Sequence, residues 1–136
     1  MALFCALLPA AGARGADRPV KVVVLGDSLS AGFGLPAQAA FPARLAEALA
    51  AKGLAATIIN AGVSGDTASG GLGRLDWSVP DGTDAVIIEL GANDALRGLD
   101  PGVTKAALDT ILRRLVDRRI IVLLAGMRAP RNICLL

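Results

Sequence analysis

The sequence contains no histidine and no tyrosine, and only three phenylalanines and one tryptophan among 136 residues. So few aromatic rings argue against single-stranded nucleic-acid binding, which uses stacking platforms. A net charge of +2 is too small to imply a nucleic-acid partner. The two cysteines, Cys5 and Cys134, stand at opposite ends and form no Cys-x-x-Cys, so neither a disulfide framework nor a zinc site is expected. The missing histidine removes the commonest general base. No apolar run is long enough to span a bilayer as a helix. No cofactor and no metal are expected.

What is present is a chain rich enough in hydrophobic residues, at 54%, to build a core, and of a length for one domain. Its organising stretch is Val20 to Ser30, where the apolar run Val22-Val23-Val24-Leu25 stops at Gly26-Asp27-Ser28. Such a run reads as a strand buried on both faces, the kind found in parallel sheets, whose carboxyl ends open into a ligand crevice. Ser28 at that end is a nucleophile or a plain helix N-cap.

Residues 1–16 pair an apolar stretch with small residues around Ala13-Arg14-Gly15, and are expected to be the remnant of a secretory signal. Residues 17–136 then form the domain, and the protein is expected to be periplasmic or secreted.

Phe41-Pro42 opens a helix with Leu45, Ala48 and Leu49 as its apolar stripe, closed by Lys52-Gly53. Ala56 to Ile59 reads as a second strand, ending in the polar loop Asn60 to Thr67, and Thr67 to Leu75 as a weak helix. Ala85 to Leu90 is a third strand, ending at Gly91-Ala92-Asn93-Asp94. Asp100-Pro101 starts a helix that runs to about Arg118, with Val103, Ala107, Leu108, Ile111, Leu112 and Leu115 on its apolar face. Arg113, Arg114, Arg118 and Arg119 suit the negative end of its dipole. Ile120 to Leu124 is a fourth strand, expected to be an inner one in the whole fold and here an exposed apolar edge prone to association. This βαβαβαβ order calls for a doubly wound α/β sheet with right-handed crossovers.

Three strands thus end in glycine and small polar residues, and in this architecture those ends converge. A serine hydroxyl, a glycine that admits close approach and an asparagine amide suit acyl transfer: the hydroxyl attacks a carbonyl carbon and donors hold the oxyanion. Gly65 is equally a turn glycine, and Asn93 a turn or cap residue, on their own. A nucleotide-binding module ranks low, because neither phosphate-binding glycine pattern occurs. A Mg-dependent phosphatase using Asp27, Asp66 and Asp94 lacks the Asp-x-Asp pair after the first strand.

VVVLGDSLSAGFG resembles the first block of the SGNH, or GDSL, hydrolases, NAGVSGDT their glycine block and ELGANDALRG their Gly-x-Asn-Asp block, in the family's order. The pattern is similar to the bacterial periplasmic arylesterase, thioesterase and lysophospholipase group. The resemblance implies a three-layer α/β/α sandwich, flavodoxin-like, that hydrolyses carboxylic esters or thioesters such as aryl esters, acyl thioesters or lysophospholipids, as a monomer when whole. It implies Ser28 as nucleophile, with the Ser28 and Gly65 backbone N–H groups and the Asn93 side chain as oxyanion hole. Asp27 and Asp94 are expected to tie loops together, and the role of Glu89, in an apolar strand, stays open between facing the site and pairing with a cation. The family's last block, Asp-x-x-His, has no counterpart, so the last strand and helix are expected to be missing through truncation or a frame shift; a non-catalytic fragment or acyl-binding pseudo-enzyme is the alternative. As written, the chain is expected to be inactive.

Overall fold

A computed structural model describes residues 18–127; the signal-like segment, both cysteines and the residues after Met127 lie outside it. The strands are β1 (Val20–Gly26), β2 (Ala56–Gly62), β3 (Ala85–Glu89) and β4 (Ile121–Leu124). They form one parallel sheet in the order β2-β1-β3-β4. Between them lie α1 (Ser28–Ala31), a short 3-10 turn at Ala37–Ala39, α2 (Phe41–Ala51), α3 (Ala68–Gly73), α4 (Leu75–Ser78), α5 (Ala92–Leu96) and α6 (Pro101–Asp117). The chain moves from β1 to β2 in one direction and from β2 past β1 to β3 and β4 in the other. With right-handed crossovers that reversal places α2 on one face and α3, α4 and α6 on the other, which is the expected three-layer, doubly wound α/β fold.

The core lies under the second of these faces. Val23, Leu25, Val86 and Ile88 alternate inward from β1 and β3 and pack with Leu75, Val79, Ile111 and Leu115, all fully buried. On α6 Ala107, Ile111 and Leu115 are buried and Leu108 and Leu112 pack half-buried against the core, as the apolar period predicts, but Val103 in the first turn is exposed. On α2, Ala48 is likewise exposed; Pro42 is the buried residue of the helix and Leu45 and Leu49 are half-buried. β2 is longer than its apolar run: Asn60, Ala61 and Gly62 pair with Val24, Leu25 and Gly26, since a ladder needs backbone partners and not apolar side chains.

β4 forms an edge among the described residues, with Ile121 72% and Leu123 61% exposed. The turn that launches it is closed by Ile120 N–H donating to the Leu115 carbonyl and Arg119 N–H to that of Val116, with Arg119 at φ 59°. That is the Schellman pattern with arginine where glycine is usual. Two of the clustered arginines leave the helix surface: Arg114 pairs with Asp76, and Arg118 donates to the Val79 carbonyl at 2.7 Å.

Candidate active site

At the carboxyl end of β1 the chain turns sharply into α1. Asp27, fully buried, is the N-cap: its Oδ1 accepts from Leu29 N–H at 3.0 Å. The capping alternative for Ser28 therefore falls to its neighbour, and Ser28 is the first residue of the helix, half-buried. Leu29 beside it is 61% exposed. Gly26 has no room for a side chain, since a Cβ there would lie 2.2 Å from Ser30 Oγ and 2.8 Å from Glu89 Oε2.

Gly65 lies in the loop after β2 at φ 83°, a conformation that glycine adopts without strain. Its carbonyl accepts from Arg97 Nη2 at 2.6 Å. Among the described residues neither the Ser28 nor the Gly65 backbone N–H has a protein acceptor.

Asn93 sits on α5, a short helix in a stretch whose sequence reads as a loop. Its Nδ2 donates at 2.9 Å to Asp27 Oδ2 and at 2.9 Å to the Asp66 carbonyl. A single amide thus joins the residue before Ser28 to the residue after Gly65, and the three sequence blocks meet in one place.

The supporting carboxylates have separate tasks. Asp94, buried, accepts from Ala68 N–H and from Thr104 Oγ1, each at 2.9 Å, tying α5 to α3 and α6. Asp66 pairs with Arg74 at 2.7 Å. With Asp27 engaged by Leu29 and Asn93, the three aspartates of the phosphatase reading are each committed to a different partner, and no metal-holding cluster forms among the described residues. Glu89 faces the site from beneath: its Oε2 accepts from Ser30 Oγ at 2.8 Å and from Asp27 N–H at 3.3 Å, while Oε1 is buried with no partner. Burial pushes the Glu89 carboxyl above the ordinary carboxylate range; the Ser30 hydrogen bond opposes this and the Asp27 charge adds to it.

A buried charged residue beneath these loops that the sequence did not single out is Arg74. It lies eight positions beyond Asp66, and only the turn between α3 and α4 brings its guanidinium back under the loop. The signal available was a lone arginine inside an otherwise uncharged Gly- and Leu-rich stretch, Ala68 to Leu75.

The model of the GDSL-like Lipase/Acylhydrolase family matches residues 24–134. The chain belongs to this family. The arylesterase of Vibrio mimicus is 42% identical over 113 residues, covering 82% of this chain and 56% of that protein. Thioesterase 1/protease 1/lysophospholipase L1 of Escherichia coli K12 is 39% identical over 112 residues, covering 82% of this chain and 52% of its own. The crystal structure of AlinE4, an SGNH-hydrolase family esterase, aligns with a TM-score of 0.82 at 45% identity over 88% of this chain and 65% of that one. The chain spans about half the length of the curated relatives it matches.

Among the described residues of this GDSL-family chain, no helix is long and apolar enough to cross a membrane.

Proposed function

We propose that this GDSL-family chain carries the nucleophile and oxyanion hole of a serine esterase acting on small-molecule carboxylic esters or thioesters. Ser28 Oγ attacks the carbonyl carbon, and the backbone N–H groups of Ser28 and Gly65 together with Asn93 Nδ2 receive the oxyanion. The observation that carries the reading is the double donation of Asn93 to Asp27 and to the Asp66 carbonyl, which ties the residue before Ser28 and the residue after Gly65 to the same amide. The two backbone N–H groups without protein acceptors support it, because an oxyanion needs donors that are not already used. Asn93 serves the oxyanion by sharing or releasing its bond to the Asp66 carbonyl.

Aryl esters, acyl thioesters and lysophospholipids are the substrate classes that the relatives' names suggest. The apolar segment and small residues of positions 1–16 support a signal, residues 17–136 as the domain, and a periplasmic or secreted protein.

A serine hydroxyl is a weak nucleophile until a base takes its proton, and the sequence holds no histidine. The Asp27 carboxylate is already committed, Oδ1 to Leu29 and Oδ2 to Asn93, and Glu89 meets the hydroxyl of Ser30 and not that of Ser28. These residues alone should therefore keep only the residual acceleration of a site without its base, roughly 10³–10⁴ over water. Joining a C-terminal segment of a relative that carries Asp-x-x-His should raise p-nitrophenyl ester turnover by orders of magnitude, and Ser28→Ala should abolish the gain. A folded, joined chain that stays inert, or one whose turnover survives Ser28→Ala, removes Ser28 from the role of nucleophile.

A further inference from the structure

Arg74 is 7% exposed, and nothing in the acyl-transfer reading uses it. Placing a guanidinium in the interior is unfavourable unless it is paired and its donors are satisfied. Here Nε donates to Asp66 Oδ2 at 2.7 Å, Nη1 to the Ala61 carbonyl at 2.8 Å and to Ser78 Oγ at 3.1 Å, and Nη2 to the Gly26 carbonyl at 2.9 Å.

These acceptors are not scattered. Gly26 ends β1 and stands one peptide before the Asp27 cap of the Ser28 turn. Ala61 lies in the last part of β2, and Asp66 follows Gly65 in the loop beyond it. The carbonyl of Asp66 is the second acceptor of Asn93. A planar guanidinium holds its donors in a fixed fork, so the acceptors it binds are held at fixed spacing; an ammonium would not do so.

We propose that Arg74 is a positioning residue, whose guanidinium sets the spacing between the Ser28 turn, the Gly65 loop and, through Asp66, the Asn93 amide. What those three groups do rests on the proposed esterase reading; how they are held does not.

The test is nitrogen-15 NMR of the whole chain, read at the Asn93 side-chain amide pair and the Ser28 and Gly65 backbone N–H groups. Val23 and Val24 amides report whether the sheet is intact. Arg74→Lys keeps the charge and loses the fork: the Asn93, Ser28 and Gly65 signals should move while Val23 and Val24 stay, and Tm should fall because buried acceptors lose their donors. Asp66→Asn keeps the shape and the backbone carbonyl but neutralises the ion pair, and should move the same three signals by less; it carries the test should the lysine variant not fold. Ser78→Ala removes a bond on the far side and should leave the Asn93 pair in place.

Folded Arg74→Lys or Asp66→Asn chains with the three signals unmoved would overturn the proposal, as would a Ser78→Ala shift as large as that of Arg74→Lys. None of these readouts needs turnover. A loss of the esterase reading at Ser28 would leave them standing, and unmoved signals would leave the esterase reading standing.

Discussion

At the amino end of the sheet Arg18 grips Asp84 in a two-pronged pair of 2.7 and 2.5 Å, and at the carboxyl end Arg74 meets Asp66 at 2.7 Å. The contact distances nearly match, but the surroundings do not. The Arg18 and Asp84 side chains are 62% and 30% exposed, those of Arg74 and Asp66 9% and 12%. In water a pair of this kind adds little, because solvent screens it and the long side chain loses freedom. In the interior each charge depends on its partner, because removing one strands the other. The hydrogen bond from Arg18, reinforced by Lys21 N–H, still draws the Asp84 carboxyl down to about 2, but solvent around this exposed pair limits what that shift adds to stability. The amino end closes the sheet in solvent, and the carboxyl end holds a site in shape.

Four changes test this contrast, beginning with the largest effect. In a chain joined to an Asp-x-x-His segment, Asn93→Ala should lower kcat by about 10²–10³ in protein that still folds, with some stability lost because Asp27 Oδ2 loses its partner, measured by p-nitrophenyl ester kinetics on the folded fraction. Asp94→Ala comes next. It strands the buried Ala68 N–H and frees Thr104, and urea unfolding should show a loss of about 1–3 kcal/mol.

Glu89→Gln is the third, and its sign follows from linkage. The folded carboxyl binds its proton more tightly than the unfolded one, whose ordinary value is 4.5. Stability contributed by this group is therefore greatest at low pH and declines as pH rises from there through the raised folded value. Melting curves from pH 4 to 8 should show that decline in the parent chain and a flatter profile in Glu89→Gln, with the variant gaining on the parent at the alkaline side. A profile of unchanged slope would mean that Glu89 is not the group that titrates. The smallest effect belongs to Asp84→Asn at the amino end, which should leave Tm nearly unchanged at neutral pH and in high salt alike; a drop as large as that of Asp94→Ala would erase the distinction between the two ends.

The parts of the molecule that the sequence made legible are those governed by period and punctuation. Val22 to Leu25, Ala85 to Glu89 and Ile121 to Leu124 are β-rich apolar runs, and Pro101 to Asp117 carries both a helical period and an Asp-Pro start, which the structure places with Asp100 as cap. Ser28, Gly65 and Asn93 were legible as strand-end residues because a doubly wound sheet sends those ends to one side. What was not legible depends on distance in space. The short helices at Ser28–Ala31 and Ala92–Leu96 are too brief to show a period; Asp27 and Asp94 tie the loops as expected, but which distant groups they meet, Asn93 for one and Ala68 and Thr104 for the other, no local pattern encodes. Nor does spacing reveal that Arg74 reaches both Gly26 and Asp66, or that the Glu89 carboxyl meets Ser30 rather than a cation. Polar side chains find partners across the fold, whereas apolar ones announce their face.

The environments around the first motif also say how much each of its letters is worth to anyone searching for relatives. Gly26 is fixed by the atoms that crowd it, Asp27 by the helix it caps and the amide it holds, and Ser28 by the nucleophile role proposed for it. Leu29, with most of its surface in solvent, is held by none of these. A search that scores the four letters alike spends a quarter of its weight on the position most open to drift. Arg74 and Asn93, distant in sequence, are tied into the same end of the sheet by buried or half-buried hydrogen bonds that Leu29 lacks.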